Sequence, residues 1–123
     1  MSRPTTLDRV LSVSPDEGRA VRNVPNTLPV FETHFPRFPV LPGVLVLETL
    51  AELATRVAGR GFVLRRAERL RFRRYVRPGD QMELAVRVLE RAPDTVVLSG
   101  EVTVGGRVVM TARRIELAGR PRR

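Results

Sequence analysis

The chain has 123 residues, a formal net charge of +9 and no cysteine. Its length fits about one domain, and its composition, 42% hydrophobic and 28% charged, is that of a folded globular protein. The lack of cysteine excludes disulfides, thiolate metal sites and cysteine nucleophiles, and the single histidine, His34, excludes a multi-histidine metal site. Neither a signal peptide nor a transmembrane segment is recognisable, so we expect a cytoplasmic protein with no membrane contact.

The positive charge is confined to one half of the chain. All 22 basic residues are arginine; residues 1–57 hold six of them and six acidic residues, whereas residues 58–123 hold 16 and seven. Residues 60–77 alone carry eight arginines and one glutamate, a net +7. Such clustering indicates association with an acidic partner.

The first half of the chain predicts a hairpin, a stiff loop and one helix. Alternating segments at 7–13 and 19–24 flank a turn rich in Pro and Gly, which is typical of a β-hairpin. Three prolines at a spacing of three between His34 and Gly43 exclude both helix and central strand. The segment from Val44 to Ala58 contains no proline or glycine and has strong helix formers, which predicts a helix. Because the first two turns are apolar on nearly every side, we expect this helix to be buried.

The second half predicts strands. Apolar and polar residues alternate around Leu70 and Phe72 and again from Met82 to Val88. Two β-rich runs follow, 95–104 and 107–117, on either side of the hairpin signal Gly105-Gly106. One buried helix against an antiparallel sheet of five or six strands is an α+β fold. We expect a single domain over residues 1–118 and a disordered basic tail over residues 119–123.

Three residues within fifteen positions can carry proton-transfer chemistry. His34 opens the proline loop, where a rigid backbone would fix its side chain, although a lone histidine is more often structural. Glu48 lies in the apolar helix, where burial would raise the pKa of its carboxyl toward that of a general acid. Its alternative role, a helix-surface ion pair, is better assigned to Glu52 and Arg56, which are spaced i,i+4. Gly43 at the helix N-terminus offers N–H groups to an oxyanion. Together they suit elimination of a β-hydroxyl from a thioester.

The stretch from His34 to Glu48, HFPRFPVLPGVLVLE, resembles the signature of the β-hydroxyacyl-[acyl-carrier-protein] dehydratases, which have the hotdog fold. The resemblance continues in residues 71–82, RFRRYVRPGDQM, in residues 8–11 and in residues 104–109, so it covers most of the chain. Thr33 and Arg37 stand where the family has glycines beside the histidine motif. Glu52 stands in place of a glutamine of the family, and Tyr75 stands in place of a proline. These departures favour a specialised enzyme of a polyketide or polyene pathway over the main fatty-acid enzyme.

The resemblance implies a long central helix wrapped by the sheet, and a dimer with active sites between its subunits. It implies that His34 removes the α-proton, Glu48 protonates the leaving hydroxyl and the N–H of Gly43 holds the thioester oxygen, without a cofactor. The substrate would be a 3-hydroxyacyl group on an acyl carrier protein and the product a trans-2-enoyl thioester. Val44, Phe35 and Pro42 would also line the substrate site.

The partner of the arginine cluster and the function of the chain each have more than one possible interpretation. An acidic carrier protein would dock on six arginines: Arg65, Arg66, Arg69, Arg71, Arg73 and Arg74. The other interpretations are a solvated strand face or a nucleic-acid surface, and the scarcity of aromatic residues in the cluster argues against nucleic acid. A hotdog thioesterase and a non-catalytic subunit of a heterodimeric dehydratase are the alternative functions.

Overall fold

A computed structural model of the chain describes residues 6–25 and 41–119. The predictions made for His34, for Phe35, for the loop that joins them to the helix and for residues 120–123 of the tail therefore lie outside the described residues.

Helix α1 spans Gly43–Ala58, as the sequence predicts to within one residue. Pro42 stands at its N-cap, where the fixed φ of proline is tolerated, and Gly59 ends it with φ 118°, a backbone conformation that favours glycine. The N–H of Gly59 donates to the carbonyl of Thr55 at 2.9 Å. The guanidinium of Arg91 donates to the carbonyls of Val57 and Ala58 at 3.3 and 3.1 Å, which stabilises the negative end of the helix dipole.

Six strands form one antiparallel sheet. They are β1 (Arg9–Val13), β2 (Glu17–Asn23), β3 (Phe62–Phe72), β4 (Gln81–Ala92), β5 (Thr95–Val104) and β6 (Arg107–Gly119). Their order in the sheet is β1-β2-β4-β5-β6-β3, so β1 and β3 are the edges. The hairpin predicted near the N-terminus is confirmed as β1–β2, and Gly105 and Gly106 connect β5 to β6 with φ 58° and 80°. Gly119, predicted to begin the tail, instead ends β6 and pairs with Phe62.

The helix packs against one face of the sheet. Its buried side chains Leu50 and Leu53 are fully inaccessible to solvent and meet inward-facing residues of the central strands, which are Met82, Leu84, Leu98, Met110 and Ile115. A Cβ added at Gly100 would lie 2.7 Å from Cδ2 of Leu50, so glycine in β5 allows the helix its close approach. Burial of each large apolar side chain stabilises the fold by about 1.5–3 kcal/mol. The opposite, outer face of the sheet carries no helix in the part of the chain that the structure describes.

Candidate functional site at the helix N-terminus

Leu41, two residues before the helix, is tied to the segment after β3. Leu41 and Val76 form an isolated antiparallel bridge, in which the N–H of Leu41 donates to the carbonyl of Val76 at 2.7 Å. Both side chains are buried. This bridge fixes the position at which the chain enters α1.

The Pro-Gly-Asp motif forms the turn that leads from this segment into β4. The N–H of Asp80 donates to the carbonyl of Arg77 at 3.1 Å, and Gly79 takes φ 91°, so Pro78 and Gly79 occupy the positions that a type II turn requires. The carboxylate of Asp80 accepts the N–H of Arg77 at 2.8 Å, and Gly79 donates to the carbonyl of Val24 at 2.7 Å. The motif therefore locks the end of β2 to the start of β4.

The first residue of α1 lies against an aromatic ring of the edge strand. A Cβ added at Gly43 would stand 2.8 Å from Cε1 and 3.0 Å from Cζ of Phe72. Phe72 is the last residue of β3, and its side chain is 48% exposed. The closeness of the ring therefore favours glycine here, and the contact joins the helix N-terminus to the end of β3.

The first N–H groups of α1 have no acceptor among the described residues. The carbonyl of Pro42 accepts the N–H groups of Leu45 and Val46 at 3.0 and 3.3 Å, whereas within the described ranges no acceptor is assigned to the N–H of Gly43 or Val44. Neither a side-chain cap nor an acidic residue occupies the first turn. The positive end of the helix dipole is therefore uncompensated by the described residues, which suits an oxyanion at Gly43.

Glu48 lies on the face of α1 that is turned away from the sheet. It follows Val44 by one turn, and both are exposed, Val44 to 60%, while Val46 and Leu50 on the other face are buried. The predicted burial of Glu48 and of the whole first half of the helix is therefore wrong for this single chain. The apolar residues of the first turn exceed what one sheet can cover, because a sheet contacts only one side of a helix.

Glu52 has the structural role predicted for it. Its carboxylate lies 3.7 Å from the guanidinium of Arg56, the i,i+4 ion pair expected from the spacing. It also accepts the backbone N–H and the hydroxyl of Thr6 at 2.9 and 2.7 Å. Glu48, one turn earlier, takes part in none of the salt bridges or side-chain hydrogen bonds of the described residues, so its carboxylate is available to a substrate.

The six arginines predicted to dock a partner separate into two groups. Arg65 lies 3.4 Å from Glu116 and Arg66 lies 3.1 Å from Glu68, so both are partly neutralised. Arg69, Arg71 and Arg73 line a trough on the outer face of the sheet, and Arg74, although exposed, does not. Within the described ranges, no group of three or more His, Cys, Asp or Glu residues could hold a metal ion, and no helix is long and apolar enough to cross a membrane.

Sequence reasoning missed two sets of residues. It placed Phe72 on the apolar side of its strand but gave it no part in the site, since contact with Gly43 joins positions far apart in the chain. It also missed Arg19, Arg87 and Arg113, which line the same trough as Arg69. The alternation within each strand puts them on the outward face, and only the register of the sheet brings them together.

The family model described as "ApeI-like: ApeI dehydratase" matches residues 12–105. The chain belongs to this dehydratase family. A 3-hydroxyacyl-[acyl-carrier-protein] dehydratase FabZ of Oleidesulfovibrio alaskensis is 39% identical over 116 residues, which are 86% of this chain and 75% of that protein. The FabZ of Syntrophobacter fumaroxidans is 33% identical over 121 residues, 92% of this chain and 82% of that protein.

Solved structures establish the fold independently. The dehydratase heterocomplex ApeI:P from Xenorhabdus doucetiae matches with a TM-score of 0.79 at 17% identity, covering 96% of this chain and 84% of that one. An uncharacterised protein, PH1136, from Pyrococcus horikoshii matches with a TM-score of 0.77 at 15% identity, over 96% of this chain and 86% of that one. The α+β hotdog fold expected from the sequence is thus confirmed.

Proposed function

We propose that this chain is a dehydratase that eliminates water from 3-hydroxyacyl thioesters on an acyl carrier protein to give trans-2-enoyl thioesters. The observation that carries the proposal is the helix N-terminus, where the available N–H of Gly43 and the carboxylate of Glu48 lie on the first two turns of α1. The family membership and the FabZ relatives support the same reaction.

In the proposed reaction, His34 takes the proton from the α-carbon, and the electrons of that C–H bond form the new double bond. The C–O bond at the β-carbon breaks, and Glu48 gives its proton to the departing hydroxyl, which leaves as water. The thioester oxygen gains negative charge as the α-proton leaves, and the N–H of Gly43 stabilises it. Both proton transfers use side chains of the protein, so the proposal needs no cofactor.

Substrate binding would use the apolar surroundings of the helix N-terminus. Pro42 and Val44 flank Gly43, and the ring of Phe72 lies against it. We propose that Val44, Pro42 and, from the resemblance, Phe35 contact the thioester end of the substrate. The acyl chain length that is accepted then depends on how far the apolar lining extends.

We further propose that the site is completed by a second hotdog subunit, in a homodimer or in a heterodimer with a related chain. The exposed face of α1 that carries Val44 and Glu48 supports this, because an apolar residue exposed to 60% beside the candidate acid is a surface that a partner would cover. Both edge strands of the sheet also have free hydrogen-bonding sides among the described residues. Cytoplasmic location stays a prediction.

The test is mass spectrometry of 3-hydroxyacyl carrier proteins of several chain lengths after incubation with the purified chain. Loss of one water from the acyl group is expected, and substitution of His34→Ala should abolish it. Release of free thiol would indicate the thioesterase alternative instead. If water is lost only after a second hotdog subunit is added, His34→Ala in this chain decides its part in the pair: unchanged activity of the mixture makes this chain the non-catalytic member and the assignment of His34 and Glu48 wrong.

A further inference from the structure

The outer face of the sheet, opposite the helix, contains a trough of about 920 Å³ that crosses five strands. Its floor is formed by small residues of the central strands, including Ala85, Ser99 and Thr111, and its charged residues are six arginines and two glutamates. The arginines are Arg19, Arg69, Arg71, Arg73, Arg87 and Arg113. They lie on β2, β3, β4 and β6 and at the residue directly after β3, so the positive charge is spread over most of the trough.

The register of the sheet arranges these residues in two rows across the strands. In one row, Arg19 pairs with Ala85, Ala85 with Glu101, Glu101 with Thr111, and Thr111 with Arg71. In the other, Glu17 pairs with Arg87, and Arg87 with Ser99. Five strands at about 4.8 Å spacing put β2 and β3 about 19 Å apart. An α-helix with its side chains is about 10–12 Å across, so the surface that bears the arginines is wide enough to receive one helix.

The arginines of the trough form no ion pair with another described residue. All six are exposed, and none takes part in a salt bridge within the described ranges, whereas Arg65 and Arg66 outside the trough both do. Arg69 is held with φ 56° in the middle of an edge strand, a conformation that a non-glycine residue adopts at a cost in backbone energy. Backbone strain of this kind is concentrated at functional surfaces.

The lining favours an acidic protein over a nucleic acid. None of the described residues that line the trough is aromatic, so they offer bases nothing to stack on. Glu101 lies in the centre of one row, where it would repel a continuous phosphate backbone but can be accommodated between the separate carboxylates of a protein helix.

The trough also leads toward the candidate active site. Arg73, at one end, directly follows Phe72, whose ring lies against Gly43. The backbone N–H of Arg73 donates to the carbonyl of Val109 at 2.7 Å, which holds this end of the trough on the sheet. A protein seated in the trough would therefore be next to the end of β3, around which a flexible arm could reach the helix N-terminus.

We propose that this outer trough binds an acidic helix of the acyl carrier protein, so that docking and chemistry occupy opposite faces of one sheet. The proposal rests on the proposed function, because it takes the carrier as the source of the substrate. It replaces the linear cluster predicted from the sequence by a surface drawn from five strands: Arg69, Arg71 and Arg73 are kept, Arg19, Arg87 and Arg113 are added, and Arg65, Arg66 and Arg74 are left out.

Two triple variants with the same change in charge test the proposal. The trough variant is Arg71→Glu, Arg87→Glu and Arg113→Glu; the control variant is Arg65→Glu, Arg66→Glu and Arg74→Glu. Binding is measured by fluorescence anisotropy with labelled apo acyl carrier protein from the organism that makes this chain, at several salt concentrations. Since the apo carrier has no pantetheine arm, this binding does not depend on the active site.

We expect the trough variant to bind the apo carrier at least about tenfold more weakly and to raise KM for carrier-bound substrate by a similar factor, while the control changes both about twofold or less. A trough variant with glutamine at the same three positions should also bind the apo carrier more weakly than the control variant does. Its thermal unfolding checks that the fold is kept. Dehydration of a 3-hydroxyacyl pantetheine thioester should be the same in all variants.

Equal weakening by the two triple variants, or none by the trough variant, would overturn the proposal. Tighter binding of a 20-nucleotide single strand than of the apo carrier, lost in the trough variant, would assign the surface to nucleic acid. Failure of the wild-type chain to dehydrate the pantetheine thioester, by contrast, counts against the proposed function. The comparison of carrier binding between the two triple variants then still tests whether the trough is the docking surface.

Discussion

The two faces of the sheet differ in charge, in covering and in the chemistry they can support. The inner face is apolar and covered by α1, whose N-terminus presents Gly43 and Glu48. The outer face is open, and its trough carries six arginines against two glutamates. The end of β3 contributes to both faces, because successive residues there point to opposite sides of the sheet. Phe72, the last residue of β3, lies against Gly43, while Arg71 before it and Arg73 after it line the trough. Proton transfer and recognition of an acidic partner can therefore be altered independently.

The largest effect on one face alone is expected from Glu48→Gln, which should impair the reaction but not the binding of the carrier. Loss of the acid should lower kcat for a 3-hydroxyacyl pantetheine thioester by about 10²–10⁴-fold, the usual contribution of general acid–base catalysis. Because Glu48 is exposed and makes no described ion pair, thermal stability and binding of the apo carrier should not change. The matched control is Glu52→Gln, one turn later, which should keep the activity. Equal losses in the two variants would show that the helix surface, rather than Glu48, is needed.

A stability effect confined to the inner face is expected from Leu50→Ala. Leu50 is fully buried and packs on Gly100, so its truncation leaves a cavity and should lower the free energy of unfolding by about 2–5 kcal/mol. Urea unfolding followed by circular dichroism measures the loss. A change below 1 kcal/mol would mean that α1 does not pack on β5 as described.

A smaller effect that links the two faces is expected from Gly43→Ala. The added Cβ would meet the ring of Phe72, which would have to move, at a cost of about 1–3 kcal/mol for the overpacked contact. Activity should fall with it, because the N–H that binds the oxyanion moves too. Adding Phe72→Leu should recover most of the stability. Full stability and activity in Gly43→Ala alone would show that the ring does not hold the helix N-terminus.

The smallest effect is expected from Arg66→Ala, outside the trough. Its ion pair with Glu68 is exposed on both sides, and such pairs contribute about 0–1 kcal/mol. Thermal unfolding and carrier binding should both stay close to those of the wild type. A large drop in carrier binding would mean that the carrier docks on the linear cluster predicted from the sequence and not on the trough.

The order of elements could be read from the sequence because each depends on local patterns. Pro42 and Gly59 mark the ends of α1, and Gly105-Gly106 marks the β5–β6 turn, since these residues allow only a few backbone conformations. The candidate acid was also identified locally, by finding a better ion-pair partner for Arg56 in Glu52, and that pair is confirmed.

Features that depend on strand register could not be predicted. The burial expected for Glu48 is wrong in the single chain because the apolar pattern of a helix does not say which sides the sheet will cover. The contact of Phe72 with Gly43 and the meeting of Arg19, Arg87 and Arg113 with Arg69 join residues that are distant in the chain. Eight arginines in residues 60–77 therefore suggested a linear patch, whereas the six arginines of the trough lie on four strands, β2, β3, β4 and β6, and directly after β3.

The central claim is that this chain moves a proton at the α-carbon of an acyl thioester. The most direct measurement runs the reaction in reverse, by hydration of a trans-2-enoyl pantetheine thioester in heavy water, with mass spectrometry of the product after return to ordinary water. The wild type should give a 3-hydroxyacyl thioester with one deuterium retained at the α-carbon, and His34→Ala should give none. Unchanged enoyl thioester with the wild-type chain, both alone and mixed with a related hotdog subunit, or free thiol without hydration, would contradict the claim.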